Sequence, residues 1–248
     1  MPVYNEAPTL RKIIPKVLAI PDLLELVIVD DCSSDLSPKI CEEFKSDPRV
    51  TVLRHEKNRG KTAALITGFA KTTGDVVTIQ DADLEYDPAE IEELVAPIVE
   101  GRADVVYGSR FMVKRAARVL YFSHYIANKC LTFVSNCLTN LNMSDIETCY
   151  KAFRGEIIRN LVITSKGFGF EVEVTAKVAK LRCAVYEVPI SYYGRTYEEG
   201  KKIGVRDGIA AFWYIAKFNL FTGLRGSFRN VPELADRKPG KLLLDVKE

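Results

Sequence analysis

Apolar positions in this chain follow two periods, and the two alternate. Short runs rich in Val, Ile and Leu lie at residues 24–29, 50–53, 75–79 and 103–107. Each has the length and the turn-flanked composition of a buried strand. Between them, residues 7–20, 37–45, 62–71 and a stretch ending near 99 read as helices. In the first of these Leu10, Ile13, Ile14, Val17 and Leu18 form an apolar stripe at helical spacing. Pro8 suits its first turn, whereas Pro15 falls inside it and predicts a kink or an early end. Four strands alternating with helices predict an α/β fold, a mainly parallel sheet with helices on both faces.

The second half differs. Residues 114–142 form one long helical pattern carrying Leu120, Tyr121, Tyr125, Ile126, Leu131, Phe133, Val134 and Leu138. It is apolar over much of its circumference, which fits a buried core helix or a helix at a membrane surface. After residues 145–153 a short helix is expected, then a helix reaching 181 and a last strand at 184–190. A polar loop over 191–202 holds Arg195, Tyr197, Lys201 and Lys202. An amphipathic helix over 205–220 follows, with Ile209, Phe212, Trp213, Ile215 and Leu220. Trp and Phe beside Arg206 and Lys217 suit the lipid headgroup zone, and packing on the core fits the same periodicity. From residue 225 the chain is polar, contains Pro232 and Pro239, and is expected to be a mobile tail.

Composition narrows the classes. The 248 residues are 47% hydrophobic and 27% charged, as in ordinary globular proteins. A net charge of +2 argues against bulk nucleic-acid binding as the main task. None of the cysteines Cys32, Cys41, Cys130, Cys137, Cys149 and Cys183 forms a Cys-x-x-Cys pair, so they read as buried, reduced thiols. His55 reads as a surface residue and His124 as a helix-packing one. No signal peptide is evident, and no apolar run reaches the ~18 residues of a spanning helix.

The candidate chemistry sits at strand ends. Asp81 and Asp83 follow the run 75–79, at the sheet edge where open α/β folds bind ligands. Two carboxylates one residue apart there can hold a hard divalent cation against a diphosphate, since Mg²⁺ binds through one or two carboxylates plus substrate phosphates. The same pair also reads as a solvated turn. Asp30, Asp31, Ser33, Ser34 and Asp35 follow the run 24–29. They suit either helix capping or contact with a nucleotide base or ribose. Asn58, Arg59, Gly60 and Lys61 precede a helix and suit either a phosphate or a plain turn, without Walker spacing.

Five stretches in order carry a family resemblance: Pro2 to Glu6; Val29 to Asp35; Asp81 to Leu84; Gly108 to Arg110; and Glu187 to Ser191 with Arg195 and Lys201 beyond. Together they resemble the family 2 glycosyltransferases of GT-A (Rossmann-like) fold, above all the dolichol-phosphate mannose synthases and related polyprenyl-phosphate sugar transferases. The resemblance runs from Pro2 to about Phe221. It implies that Pro2, Tyr4, Glu6, Val29 and Asp31 line a base and ribose pocket and that Asp81 and Ala82 contact the donor. It also implies that Asp83 binds Mg²⁺ or Mn²⁺ with Glu85 as a second ligand. Arg110, Arg195 and Lys201 then face the donor and acceptor phosphates. One domain over 1–224 is expected, with a nucleotide-sugar half (1–112) and an acceptor half (113–224), ahead of the tail 225–248.

Three departures accompany the resemblance. The hydrophobic strand that precedes Pro2 in the family has only Met1 in its place, so the first strand is expected to be missing. Glu198, Glu199 and Gly200 replace the family's usual residues before Lys201, which weakens any inference of mannose. No membrane spans follow at the carboxyl end.

The implied reaction transfers a hexose from GDP-mannose or UDP-glucose to a polyprenyl phosphate, with inversion, by a peripheral protein on the cytoplasmic face of a membrane. A hydroxyl acceptor would instead need a carboxylate base. Asp145 and Glu173 are the candidates, although a loop-capping Asp and an exposed helix residue describe them equally well. A nucleotidyltransferase and a non-catalytic binding protein are the remaining alternatives.

Overall fold

The computed structural model describes residues 1–112, 118, 121–167, 169–196, 198 and 205–234. Three strands, β1 (Pro2–Val3), β2 (Leu26–Asp30) and β3 (Val50–Arg54), form a parallel sheet in the order β1-β2-β3. Val3 lies opposite Asp30, and Leu26 opposite Val50. A second sheet has the order β4-β6-β5-β7, built from β4 (Val76–Thr78), β5 (Val105–Ser109), β6 (Lys151–Arg154) and β7 (Val185–Pro189). β5 and β7 are parallel, whereas β6 runs antiparallel to both of its neighbours.

β2 shows why helices cover both faces. Leu26 and Ile28 pack with Leu10, Ile13 and Ile14 of α1 (Ala7–Leu18) and Ile40 of α2 (Ser37–Glu43). Val27 and Val29, pointing the opposite way, meet Ala64 of α3 (Lys61–Phe69). In the second sheet Val106 and Ala152 pack against Leu94 and Ile98 of α4 (Ile91–Val99). On the other face Val77, Tyr107 and Phe153 join Leu131 of α5 (Phe122–Thr139), Phe170 and Val174 of α7 (Phe170–Leu181), and Ile215 of α8 (Val205–Leu220). α6 (Gly155–Asn160) follows β6, and Ile157 and Ile158 seal that core.

Several expectations need correction. The first strand is short rather than missing: the Met1 ammonium donates to Val27 O at 2.8 Å, and Val29 N and Asp31 N donate to Met1 O and Val3 O. β1 thus pairs with the end of β2, and Val3 is buried. α1 passes through Pro15 to Leu18, with Pro15 on its exposed side where water can serve the unpaired carbonyl. β6 is a strand that the pattern does not announce, because it opens on Lys151, whose ammonium is buried on the carbonyls of Ile146 and Thr148. The long helix is α5, closed by Asn140 in a left-handed conformation (φ 56°). Residues 113–117, 119 and 120 of the expected helix lie outside the described residues.

Part of the segment expected to be mobile is packed. α9 (Leu224–Ser227) is followed by buried Phe228, which bridges to Leu161, so the apolar ring anchors this segment; residues 235–248 lie outside the described ones. The thiols divide: Cys41 is buried, but Cys130 and Cys137 are exposed on α5.

Candidate active site

The site starts at the end of β4. Asp81 is buried there, and Leu84 takes a positive φ of 63° that turns the chain back under Asp83. Asp83 Oδ1 accepts the Glu85 amide at 3.0 Å. Facing Asp81 is Lys61, the first residue of α3, with Nζ 2.9 Å from the carboxylate and 2.9 Å from Cys149 Sγ. Burial opposes the charge on each, but the pairing outweighs it: Asp81 is held below the usual carboxylate range and Lys61 well above the usual amine value.

Asp31 puts Lys61 there. Its carboxylate accepts Arg59 N at 3.0 Å, Gly60 N at 2.7 Å and His55 Nδ1 at 2.6 Å. These bonds fix the turn in which Gly60 adopts φ 85°, a conformation that suits glycine. The Asp31 carboxylate thus orders the turn that presents Lys61. His55, expected at the surface, is buried between Asp31 and Thr67 Oγ1. The Val29 side chain is core, packed toward α3. Pro2 is half-buried on β1, Tyr4 is exposed just beyond it, and Ala82 is buried in the α1 cluster.

Two arginines close the other side. Arg195 donates to Glu6 Oε2 at 2.9 Å and Oε1 at 3.3 Å, and to Asp83 O at 2.7 Å. Glu85 holds the same segment, accepting Arg195 N and the Tyr192 hydroxyl, each at 2.8 Å. Arg110 lies 5.1 Å over the Tyr192 ring. Its guanidinium forms a two-pronged pair with Asp145, at 2.7 and 2.8 Å. Asp83, Glu85 and Arg195 are therefore in direct contact, and Arg110 joins them through Tyr192. Lys201 lies outside the described residues.

Both proposed bases are committed elsewhere. Asp145 is fully buried; burial opposes its charge, but Arg110 and Asn128 hold it below the usual carboxylate range. Glu173, expected to be exposed, is fully buried in a pair with Lys177 and accepts Thr164 N and Ser165 N. Asp83 is different. Burial and the charges of Asp81 and Glu85 push its carboxyl up to about 7.

Sequence reasoning passed over Lys61 as a turn residue and did not join Glu6 to Arg195, which is 189 positions away. The Gly60–Lys61 step at a helix start was the available signal for the first. Nothing local signalled the second.

The profile of glycosyl transferase family 2 matches residues 1–162. The chain belongs to this family. Among its relatives is the undecaprenyl-phosphate mannosyltransferase of Micrococcus luteus, 29% identical over 231 residues, covering 86% of this chain and 94% of that one. The polyprenol monophosphomannose synthase of Mycolicibacterium smegmatis is 28% identical over 212 residues, covering 82% and 80%. Glucosyl-3-phosphoglycerate synthase from Mycobacterium tuberculosis, solved with UDP, superposes with a TM-score of 0.68 at 18% identity, covering 97% of this chain and 88% of that one. The same synthase has been solved with Mn²⁺, UDP-glucose and phosphoglyceric acid. The family 2 chain described here thus has the GT-A fold, parallel except where β6 is inserted.

Proposed function

We propose that this glycosyltransferase moves a hexose from a nucleoside-diphosphate sugar to a polyprenyl phosphate, with inversion at the anomeric carbon. The observation that carries this reading is the set of fixed cations, Lys61, Arg110 and Arg195, around Asp81, Asp83 and Glu85. A phosphate acceptor is already anionic at neutral pH and needs cations to position it rather than a base. A hydroxyl acceptor would need a base, and Asp145 and Glu173 are both locked in buried ion pairs.

Asp83 fits a divalent cation. Its carboxyl is raised by burial and by the charges of Asp81 and Glu85, and among the described residues no cationic side chain is hydrogen-bonded to it. Mg²⁺ is held through one or two carboxylates plus substrate phosphates. Asp83 would hold Mg²⁺ or Mn²⁺, with Glu85 beside it as a second ligand. When bound, the cation supplies neutralisation of the charge on the departing diphosphate. Lys61 keeps Asp81 ionised and oriented, while Arg110 and Arg195 bind and orient phosphate oxygens. Such preorganised charge stabilises developing negative charge without reorganisation.

The lipid acceptor implies a membrane surface. No helix among the described residues is long and apolar enough to cross a membrane. α5 exposes Phe122, Ile126 and Phe133 and contains no Asp or Glu, and α8 exposes Ile209, Phe212, Trp213 and Leu220. These faces suit the headgroup zone of a bilayer, which supports the peripheral membrane location, on the cytoplasmic face, that the proposal includes.

A donor screen tests the reading. GDP-mannose and UDP-glucose are offered with polyprenyl phosphate, with and without Mg²⁺ or Mn²⁺. Release of nucleoside diphosphate that needs both the lipid phosphate and the cation is expected. Release of pyrophosphate, or equal turnover with a soluble hydroxyl acceptor alone, would overturn it.

A further inference from the structure

Beside the Lys61–Asp81 pair lies a second pair of carboxyl groups that the reaction described above does not use. Glu147 sits in the loop between α5 and β6, and Glu171 in the first turn of α7. Glu171 is 4% exposed; its Oε1 receives the Cys149 thiol at 3.7 Å, and its Oε2 is buried with no partner. Glu147 Oε1 and Thr148 Oγ1 are also buried and unpartnered. Lys151, the ammonium nearest in sequence, is spent on the carbonyls of Ile146 and Thr148. Three oxygens that can accept hydrogen bonds are therefore left without donors, which is costly for a folded protein and rare without a function.

The location gives the shortage a meaning. The Cys149 thiol touches both Glu171 Oε1 at 3.7 Å and Lys61 Nζ at 2.9 Å, and Glu147 stands two residues from Asp145, the partner of Arg110. The pair therefore lies between the Lys61–Asp81 edge, assigned above to the donor, and Arg110, assigned above to the phosphates. In a transfer from diphosphate to phosphate, the group in between is the sugar. Glu147 is half-buried whereas Glu171 is buried, so of the two Glu147 lies nearer the surface, with Glu171 behind it.

We propose that Glu147 recognises the hexose of the donor, its carboxyl oxygens accepting hydrogen bonds from sugar hydroxyls, with Glu171 behind it as the residue that positions it. The hydroxyl hydrogens supply donors that the protein lacks. Burial and the Glu171 charge push the Glu147 carboxyl up to about 8, as expected of a group built to meet neutral donors rather than a cation. This inference rests on the transfer proposed above.

The test is calorimetric binding to the full chain with Mg²⁺, comparing GDP with GDP-mannose and UDP with UDP-glucose, for wild type, Glu147→Ala, Glu147→Gln and Glu171→Gln. For the matching donor, Glu147→Ala is expected to lower affinity by about three- to tenfold, the value of a hydrogen bond to a neutral group. Affinity for the bare nucleoside diphosphate should not change. Glu147→Gln keeps the shape and one acceptor, so it folds if Ala does not, and it is expected to show a smaller loss confined to the sugar nucleotide. Glu171→Gln should behave like Glu147→Gln. Equal losses for diphosphate and sugar nucleotide, or no loss for either, would overturn the role of Glu147 alone. If the wild type binds neither sugar nucleotide, the transfer reading falls and this inference falls with it.

Discussion

Asp145→Asn removes the negative half of a buried ion pair and leaves Arg110 in place. The side chains of Arg110 and Asp145 are 16% and 0% exposed, so water cannot replace the lost carboxylate. Removing one partner of a buried pair costs about 3–5 kcal/mol, because the remaining charge is uncompensated. The lower figure applies here, since Arg110 also keeps the Tyr192 ring at 5.1 Å. At about 2–4 °C per kcal/mol for a chain of this size, a loss of about 3 kcal/mol lowers Tm by about 6–12 °C. Differential scanning calorimetry reads it directly. The double variant Asp145→Asn with Arg110→Met should recover most of the loss, because an apolar group needs no partner. Activity then separates position from base. Arg110→Met should abolish lipid-dependent transfer at a pH where Asp145→Asn retains residual turnover. A Tm for Asp145→Asn equal to wild type, or no recovery in the double variant, would refute the electrostatic account. Loss of turnover in Asp145→Asn while Arg195→Ala stays active would restore Asp145 as a base for a hydroxyl acceptor.

Glu147 gives a pH signature: its carboxyl lies at about 8 in the fold against an ordinary 4.5, so the stability it contributes is present at low pH and is lost as pH rises from 4.5 to about 8. Urea unfolding of Glu147→Gln against pH should be flatter than wild type across that window. Lys61→Ala leaves Asp81 buried without its cation; donor affinity should drop by about tenfold or more and the protein should lose about 3 kcal/mol, by calorimetry and thermal melting. Phe212→Ser with Trp213→Ser should weaken pelleting with anionic vesicles and lipid-dependent turnover while melting as wild type, since both side chains are exposed; unchanged pelleting would remove α8 as the contact.

The elements that the pattern predicts well are those whose stability is local. α8 spans the residues expected from its amphipathic period, and β2, β3, β5 and β7 fall within two residues of their apolar runs. Asp81 and Asp83 stand at the end of β4 as their sequence context implies. What the pattern hides depends on distant partners. Lys151 looks like a surface residue until the carbonyls of Ile146 and Thr148 enclose it, so β6 went unseen. His55 and Glu173 read as exposed because Asp31, 24 positions away, and the 164–165 turn supply the bonds that make burial tolerable. Cys130 and Cys137 read as buried because they lie among apolar neighbours, yet those neighbours form a face of α5 that stays exposed.

The charges of the site separate structural carboxylates from functional ones. Asp31 is saturated by the Arg59–Gly60 turn and His55, and Asp145 by Arg110 and Asn128. Asp81 has Lys61, and Glu6 has Arg195. Each of these groups holds another part of the site still. Among the described residues no cationic side chain is hydrogen-bonded to Asp83 or Glu147, and both carboxyls are raised by burial beside like charges. Folding alone gains nothing from leaving two carboxyls in that condition, since an amide of the same shape would relieve the repulsion. A ligand that brings a divalent cation to one and hydroxyl donors to the other satisfies both at once, and a metal-bound sugar diphosphate has both. On the proposed reading, the donor's diphosphate belongs at Asp83 and its sugar at Glu147, so the groups that folding leaves unsatisfied are the ones the donor would complete.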